Sequence, residues 1–155
     1  FMLSKTLTAL NRREEAEEHL DRVLREEPAF AAAHEEKGKH ELARGRPGLA
    51  RAAFQRAAEL EPSRASAHSN WGAALAAMGQ TQEAIARFEE ALRYDPHNAE
   101  ILYNLGLTLG RTGRFQEAAA RFRQALAERP GYPAAAFGLK ASEAQTASSE
   151  KAVKP

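Results

Sequence analysis

Apolar residues in this sequence recur on two helical faces in every thirty-four residues, with polar turns between them. In the stretch AEILYNLGLTLGRTGRFQEAAARFRQALAERPGY (99–132), Leu102, Leu105 and Leu109 fall on one face. After a break, Ala118, Phe122, Ala125 and Leu126 fall on another. Spacings of three and four predict amphipathic helices, so the unit is helix, short turn, helix, longer turn. The same step of thirty-four relates Ala16, Ala50, Ala84 and Ala118, and Pro28, Pro62, Pro96 and Pro130. It also relates Gly38, Gly72 and Gly106, and Phe54, Phe88 and Phe122. A fixed period of this size means stacked copies of one small unit, each burying its apolar face on its neighbours. Without a single gap the copies are a truncated 1–30, then 31–64, 65–98 and 99–132.

The turns follow from residue chemistry. Asn11, Gly45, Gly79 and Gly113 share the fifteenth position of the unit, where a left-handed residue closing a helix is expected. At the far end each proline removes a backbone donor and pushes Glu27, Glu61, Asp95 or Arg129 before it out of the α region. Ser63 and Asn98 are candidate N-caps for the helices that follow. Gly38, Gly72 and Gly106 sit mid-helix, where glycine costs about 0.8–1 kcal/mol relative to alanine. Three such glycines in register predict a close approach, with the alanine at the twentieth position facing each from the second helix.

The second copy departs from the pattern. Lys37 and Glu41 stand where other copies carry Leu3, Trp71 and Leu105, and Leu7, Leu75 and Leu109. One turn apart, the two are expected to pack their stems and send their charges to solvent. After Tyr132 the pattern restarts with Pro133, which suits a first helical turn. A capping helix over about 133–148 is expected, with Phe137 and Leu139 covering the last unit and Lys140, Ser142, Glu143 and Gln145 outward. Residues 149–155 carry no apolar period and are expected to form a flexible tail.

These residues carry a family resemblance. The third copy reads HSNWGAAL, then AIARF, then Pro96; the fourth reads LYNLGLTL, then AAARF, then Pro130. The chain resembles the tetratricopeptide repeat (TPR) family, whose signature is W-x2-L-G-x2-Y, then A-x3-F, then proline. The resemblance covers 1–132 and implies an all-α fold, a right-handed α-solenoid of antiparallel helix pairs with a C-terminal capping helix. Residues 1–148 then form one domain.

It also implies a concave surface lined by first helices, which holds a peptide or helix of a partner. The inner-face positions give Lys5, Glu35, Lys39, Ser69, Asn70, Ala73, Glu100, Tyr103, Asn104, Leu107 and Arg111 as the candidate groove. Asn70 and Asn104 share the sixth position, and an amide both donates and accepts. They either grip a partner's main chain, as in TPR arrays with an asparagine ladder, or bond between repeats. The basic carboxylate clamp of chaperone-binding TPR domains is absent, since Phe1, Glu35, Ser69 and Tyr103 fill its fifth positions. Ala73, Ala76 and Ala77 beside Tyr103 and Leu107 predict a partly apolar groove.

Composition narrows the functional classes. The 22 basic and 21 acidic residues alternate along helices, which argues against the clustered basic surface that nucleic acid needs. With no cysteine, disulfides, thiol catalysis and Cys-ligated metals are excluded. His34 and His68 occupy equivalent positions one unit apart, too far to share a metal whose ligands sit about 2 Å away. With His19, His40 and His97 they read as packed or surface histidines. No nucleophile elbow or phosphate-binding glycine loop is present, so neither catalysis nor a cofactor is expected.

The expected function is a protein-interaction scaffold whose partner is a protein or peptide. Two alternatives stand beside it: a substrate-recruiting domain of a larger glycosyltransferase- or sulfotransferase-like enzyme, and a self-assembling scaffold. Phe1 is not an initiator, so the sequence starts either at a residue left over ahead of Met2 or at an internal cut. An array starting inside a first helix leaves Leu3, Leu7 and Leu10 as an edge through which a homo-oligomer would form. No signal or membrane-spanning segment is visible, which favours the cytoplasm. The high Arg and Ala content points to a bacterial chain from a GC-rich genome.

Overall fold

The computed structural model describes residues 13–153. Lys5, Asn11 and the proposed edge at Leu3, Leu7 and Leu10 lie outside the described residues. Eight helices follow one another among those described: α1 (Arg13–Glu26), α2 (Ala31–Ala43), α3 (Pro47–Leu60), α4 (Ala65–Ala77), α5 (Thr81–Tyr94), α6 (Ala99–Arg111), α7 (Phe115–Glu128) and α8 (Pro133–Val153). Within a unit α2 packs on α3, α4 on α5 and α6 on α7, and each second helix packs on the first helix of the next unit. First helices also touch successive first helices, from α2 to α4, α4 to α6 and α6 to α8. This is the α-solenoid of helix pairs that the period predicts.

The turns form as their residues require. Gly45, Gly79 and Gly113 have φ of 69°, 76° and 78°. The residue after each donates its N–H back to a carbonyl of the preceding helix: Arg46 to Glu41, Gln80 to Leu75 and Arg114 to Leu109, at 2.9–3.1 Å. That is a Schellman closure, which a left-handed glycine makes at no steric cost. Before the prolines, Glu61, Asp95 and Arg129 lie outside the α region, with φ between −129° and −136° and ψ between 77° and 87°, and the second helices stop there. Asn98 caps α6 by accepting from the N–H groups of Glu100 and Ile101 at 3.1 and 3.2 Å. Ser63 does not cap α4; that place falls to Arg64, which makes no side-chain cap bond.

Phe54, Phe88 and Phe122 are fully buried, one in each of the last three units, with Leu20 at the same place in the first. They, rather than the alanines at the twentieth position, account for most of the glycine constraint. A Cβ built on Gly38 would meet the Phe54 ring at 2.5 Å, and one on Gly106 would meet Phe122 at 2.8 Å. On Gly72 it would lie 3.0 Å from Phe88 and 3.2 Å from the Ala84 carbonyl, so alanine backbone shares the contact in that unit. The Phe ring is flat and wide, and it fills the space that a glycine leaves between antiparallel helices. Ala16, Ala50, Ala84 and Ala118 are nonetheless fully buried at the same interfaces.

Lys37 and Glu41 do not depend on each other. Lys37 pairs with Asp21 of α1 at 2.9 Å, and Glu41 with Arg46 in the following turn at 2.7 Å. The polar substitution in the second copy therefore ties α2 to its neighbours by ion pairs instead of leucine packing. The capping helix runs to Val153, past the expected end near 148. Its alanine content favours helix, and Thr146 and Ser149 return their hydroxyls to carbonyls one turn back, at 3.0 and 2.9 Å. Ser142 is buried and donates to the Gly138 carbonyl at 2.9 Å, so it is not part of the outer face.

Candidate functional site: the groove of the first helices

The first helices α2, α4, α6 and α8 line one face in order, and the predicted inner-face residues come together there. Three depressions run along it. One of about 330 Å³ lies among α2, α4 and α6 and is bounded by Lys39, Ser69, Asn70, Ala73, Glu100 and Asn104. The next, of about 250 Å³, is bounded by Ala73, Ala76, Ala77, Asn104, Leu107 and Arg111. The last, of about 300 Å³, lies between α6 and α8. Ala73 and Asn104 line the first two, and Leu107 and Arg111 the last two, so the three form one continuous surface.

Glu35 corrects the sequence reading. Expected as an exposed groove residue, it does line the first depression but is only 4% exposed. A buried carboxylate needs partners, and this one has four. Arg64 Nε and Ser66 Oγ donate to one oxygen at 2.6 and 2.9 Å. Asn70 Nδ2 donates to the other at 2.9 Å, with Lys39 Nζ at 3.3 Å. Burial by itself pushes the Glu35 carboxyl upward. The bond from Arg64, the Lys39 charge and the bond from Ser66 outweigh it and hold the group below its ordinary value. Lys39 is shifted upward: burial lowers it, but the adjacent Glu36 and Glu35 prevail.

The two asparagines thus differ. Asn70 spends an N–H on Glu35 across the repeat boundary, whereas the Asn104 amide makes no hydrogen bond to any described residue. Unit three supplies Ser69 at the fifth position, where unit two supplies Glu35, so Asn104 has no carboxylate to meet. Tyr103 is held on edge by Phe122 and Tyr132, with ring centroids 5.8 and 5.1 Å away. Rigid aromatic surface of this kind loses little entropy on contact with a partner.

Phe137 also corrects the sequence reading. Leu139 packs on the last unit as expected, but Phe137 is 77% exposed. Counted in the repeat phase it is the fifth position of α8, equivalent to Tyr103. The groove therefore continues onto the capping helix, with Phe137 beside Ala134, Ala141 and Gln145. That phase was readable in the sequence; treating α8 only as a cover hid it. Asp95, in the loop before α6, is a further groove residue that the first-helix count omits.

His34 and His68 have structural roles. They place Nε2 against the carbonyls of Pro28 and Pro62 at 3.0 and 2.8 Å, pinning each helix to the loop that precedes it. Among the described residues no group of three or more His, Asp or Glu could hold a metal ion. No described helix is long and apolar enough to cross a membrane.

Comparison with known proteins agrees with this architecture. The fold matches that of PilF from Pseudomonas aeruginosa with a TM-score of 0.87 and 21% identity, over 95% of this chain and 67% of that one. MamA matches with a TM-score of 0.84 and 20% identity, over 97% and 82% of the two chains. The second TPR domain of human RPAP3, solved in complex with an HSP70 peptide, matches with a TM-score of 0.70 and 19% identity, over 73% and 94%. No curated protein matches the sequence. The sequence model of the tetratricopeptide repeat matches residues 1–67 and 69–133. On four in-phase copies, the helix-pair solenoid and that match, the chain belongs to the tetratricopeptide repeat family.

Proposed function

We propose that the protein is an interaction scaffold whose groove of first helices binds an extended peptide or a helix of a partner protein. The observation that carries this reading is the continuity of the three depressions, which share Ala73, Asn104, Leu107 and Arg111. A linear segment is the shape that meets such a surface, with polar atoms for its backbone and apolar hollows for its side chains. Asn104 is the group best placed to bond a main chain, because its amide is free of described partners. Asn70 is committed to Glu35 and supports the groove floor instead. The RPAP3 domain, a structure of similar fold, holds a peptide, which supports the same use here.

Ala73→Arg and Asn104→Arg would each fill the middle of the groove and test the reading. Proteins captured by the wild-type chain from its own cells are compared with those captured by these variants. Arg93→Glu, an exposed change on the second helix α5, serves as the control. Partners lost with both groove variants and kept with the control are expected. Partners kept by both groove variants, with helicity unchanged, would sink the assignment.

A further inference from the structure

We propose that the C-terminal end of the groove receives a bulky apolar side chain of the bound segment, with a neighbouring Asp or Glu of that segment paired to Arg111. This rests on the groove reading above and specifies the partner's chemistry. The α6–α8 depression, about 300 Å³, is walled by Tyr103, Leu107, Phe115, Phe122, Ala134 and Phe137. Gly138 makes it possible. A Cβ there would lie 2.7 Å from Phe122, so the glycine lets α8 settle directly on that ring. Units three and four carry Asn70 and Asn104 at this sixth position. Of the large apolar side chains left in solvent, Phe137 at 77% is more exposed than Leu49, Met78 or Tyr94. An aromatic ring beside an apolar hollow of this size is the arrangement in which interface anchors are found.

Charge decides what accompanies the anchor. Among the described residues, Arg111 is the sole charged one lining this depression and its neighbour along Ala73, Ala76 and Ala77. It is exposed, and among the described residues no carboxylate pairs with it. A segment covering both hollows removes the guanidinium from water, and an unpaired buried charge is strongly unfavourable. The segment must therefore bring an anion. A carboxylate matches the planar donor fork of arginine in two parallel bonds, while a basic residue at that point is repelled.

Selection of phage-displayed random peptides on the full chain, followed by anisotropy titration of the synthetic peptides obtained, tests this. Enriched sequences are expected to place Phe, Leu, Ile, Met or Trp next to Asp or Glu. Phe137→Ser, and Ala141→Trp filling the hollow from its rim, should each weaken binding about tenfold or more. Arg111→Glu should do the same, and should restore binding to a peptide whose acidic residue is replaced by Lys. All three positions are exposed, and circular dichroism checks that the helices persist.

Peptides that lose affinity with Ala73→Arg and Asn104→Arg, yet ignore Phe137→Ser, Ala141→Trp and Arg111→Glu, would overturn the anchor site and leave the groove reading standing. Indifference to all five, or no enrichment, would remove both. Enrichment of apolar residues flanked by Lys or Arg would overturn the charge pairing. A dimer of the chain that dissociates on Phe137→Ser would assign the ring to a second copy, which also overturns the proposal.

Discussion

Asn70 donates its amide to Glu35 across 2.9 Å, joining the sixth position of one repeat to the fifth position of the repeat before it. The bond lies on the groove floor and is one of four contacts that satisfy a buried carboxylate. Removing either end has different consequences. Asn70→Ala leaves the Glu35 oxygen near Lys39 at 3.3 Å, and should cost about 1.5 kcal/mol, the low end for a hydrogen bond to a charged group. Glu35→Gln strips charge from the bonds to Arg64 and Lys39 and should cost about 1.5–3 kcal/mol. Urea denaturation of the two variants checks the order, and an Asn70→Ala loss larger than that of Glu35→Gln would contradict it.

The same cluster makes stability depend on acid. The Glu35 carboxyl is held below the ordinary 4.5, despite burial pushing it up, by Arg64, Lys39 and Ser66. The folded state therefore binds this proton less readily than the unfolded chain. Its contribution is complete above the unfolded value and is lost as pH falls through the lower folded one. The stability difference between wild type and Glu35→Gln should accordingly shrink below pH 4.5 and stay flat from pH 6 to 8. Denaturation midpoints of both proteins across that range provide the measurement.

Gly106→Ala sets helix propensity against packing. Alanine should gain about 0.8–1 kcal/mol in a helix interior. Its methyl would meet Phe122 at 2.8 Å, and overpacking of a filled core costs about 1–3 kcal/mol. Phe122 has little room to shift, because Gly138 of α8 also lies close against its ring. Net destabilisation is expected. In a Phe122→Leu background the same change should be less harmful, since the flat ring that forbids the methyl is gone. Additive losses in the double variant would show that Gly106 is constrained by something other than this ring.

Most of the scaffold was legible because each periodic residue has one local reason to be there. Gly45, Gly79 and Gly113 need positive φ, and Pro62, Pro96 and Pro130 stop helices, whatever surrounds them. Residues whose role depends on a neighbour across units were harder. Glu35 reads by position as an exposed groove residue, and its burial required Arg64 at the end of its own repeat to converge with Ser66 and Asn70 of the next. Phe137 looked like a core residue by type, and only its phase, shared with Tyr103, reveals the groove. That a Phe ring lies nearest to Gly38 and Gly106 was not legible, because period identifies which positions recur, not which of them meet.

His97 and Glu128 join the loop before α6 to the end of α7, with Nδ1 and Oε1 2.8 Å apart. The hydrogen bond and the charge of Glu128 raise the imidazole above its ordinary 6.5. For a raised group the sign is opposite to that of Glu35: the stabilising effect is present below the unfolded value and disappears as pH rises through the folded one. The pair is exposed and screened by solvent, so its effect on global stability is expected to be negligible. The shift itself is measurable. The His97 ring protons, followed by NMR, should titrate above 6.5, and Glu128→Gln should bring the midpoint down. High salt should have a smaller version of the same effect, because it screens the charge and leaves the hydrogen bond. A midpoint unmoved by Glu128→Gln would mean that the two side chains do not meet in solution.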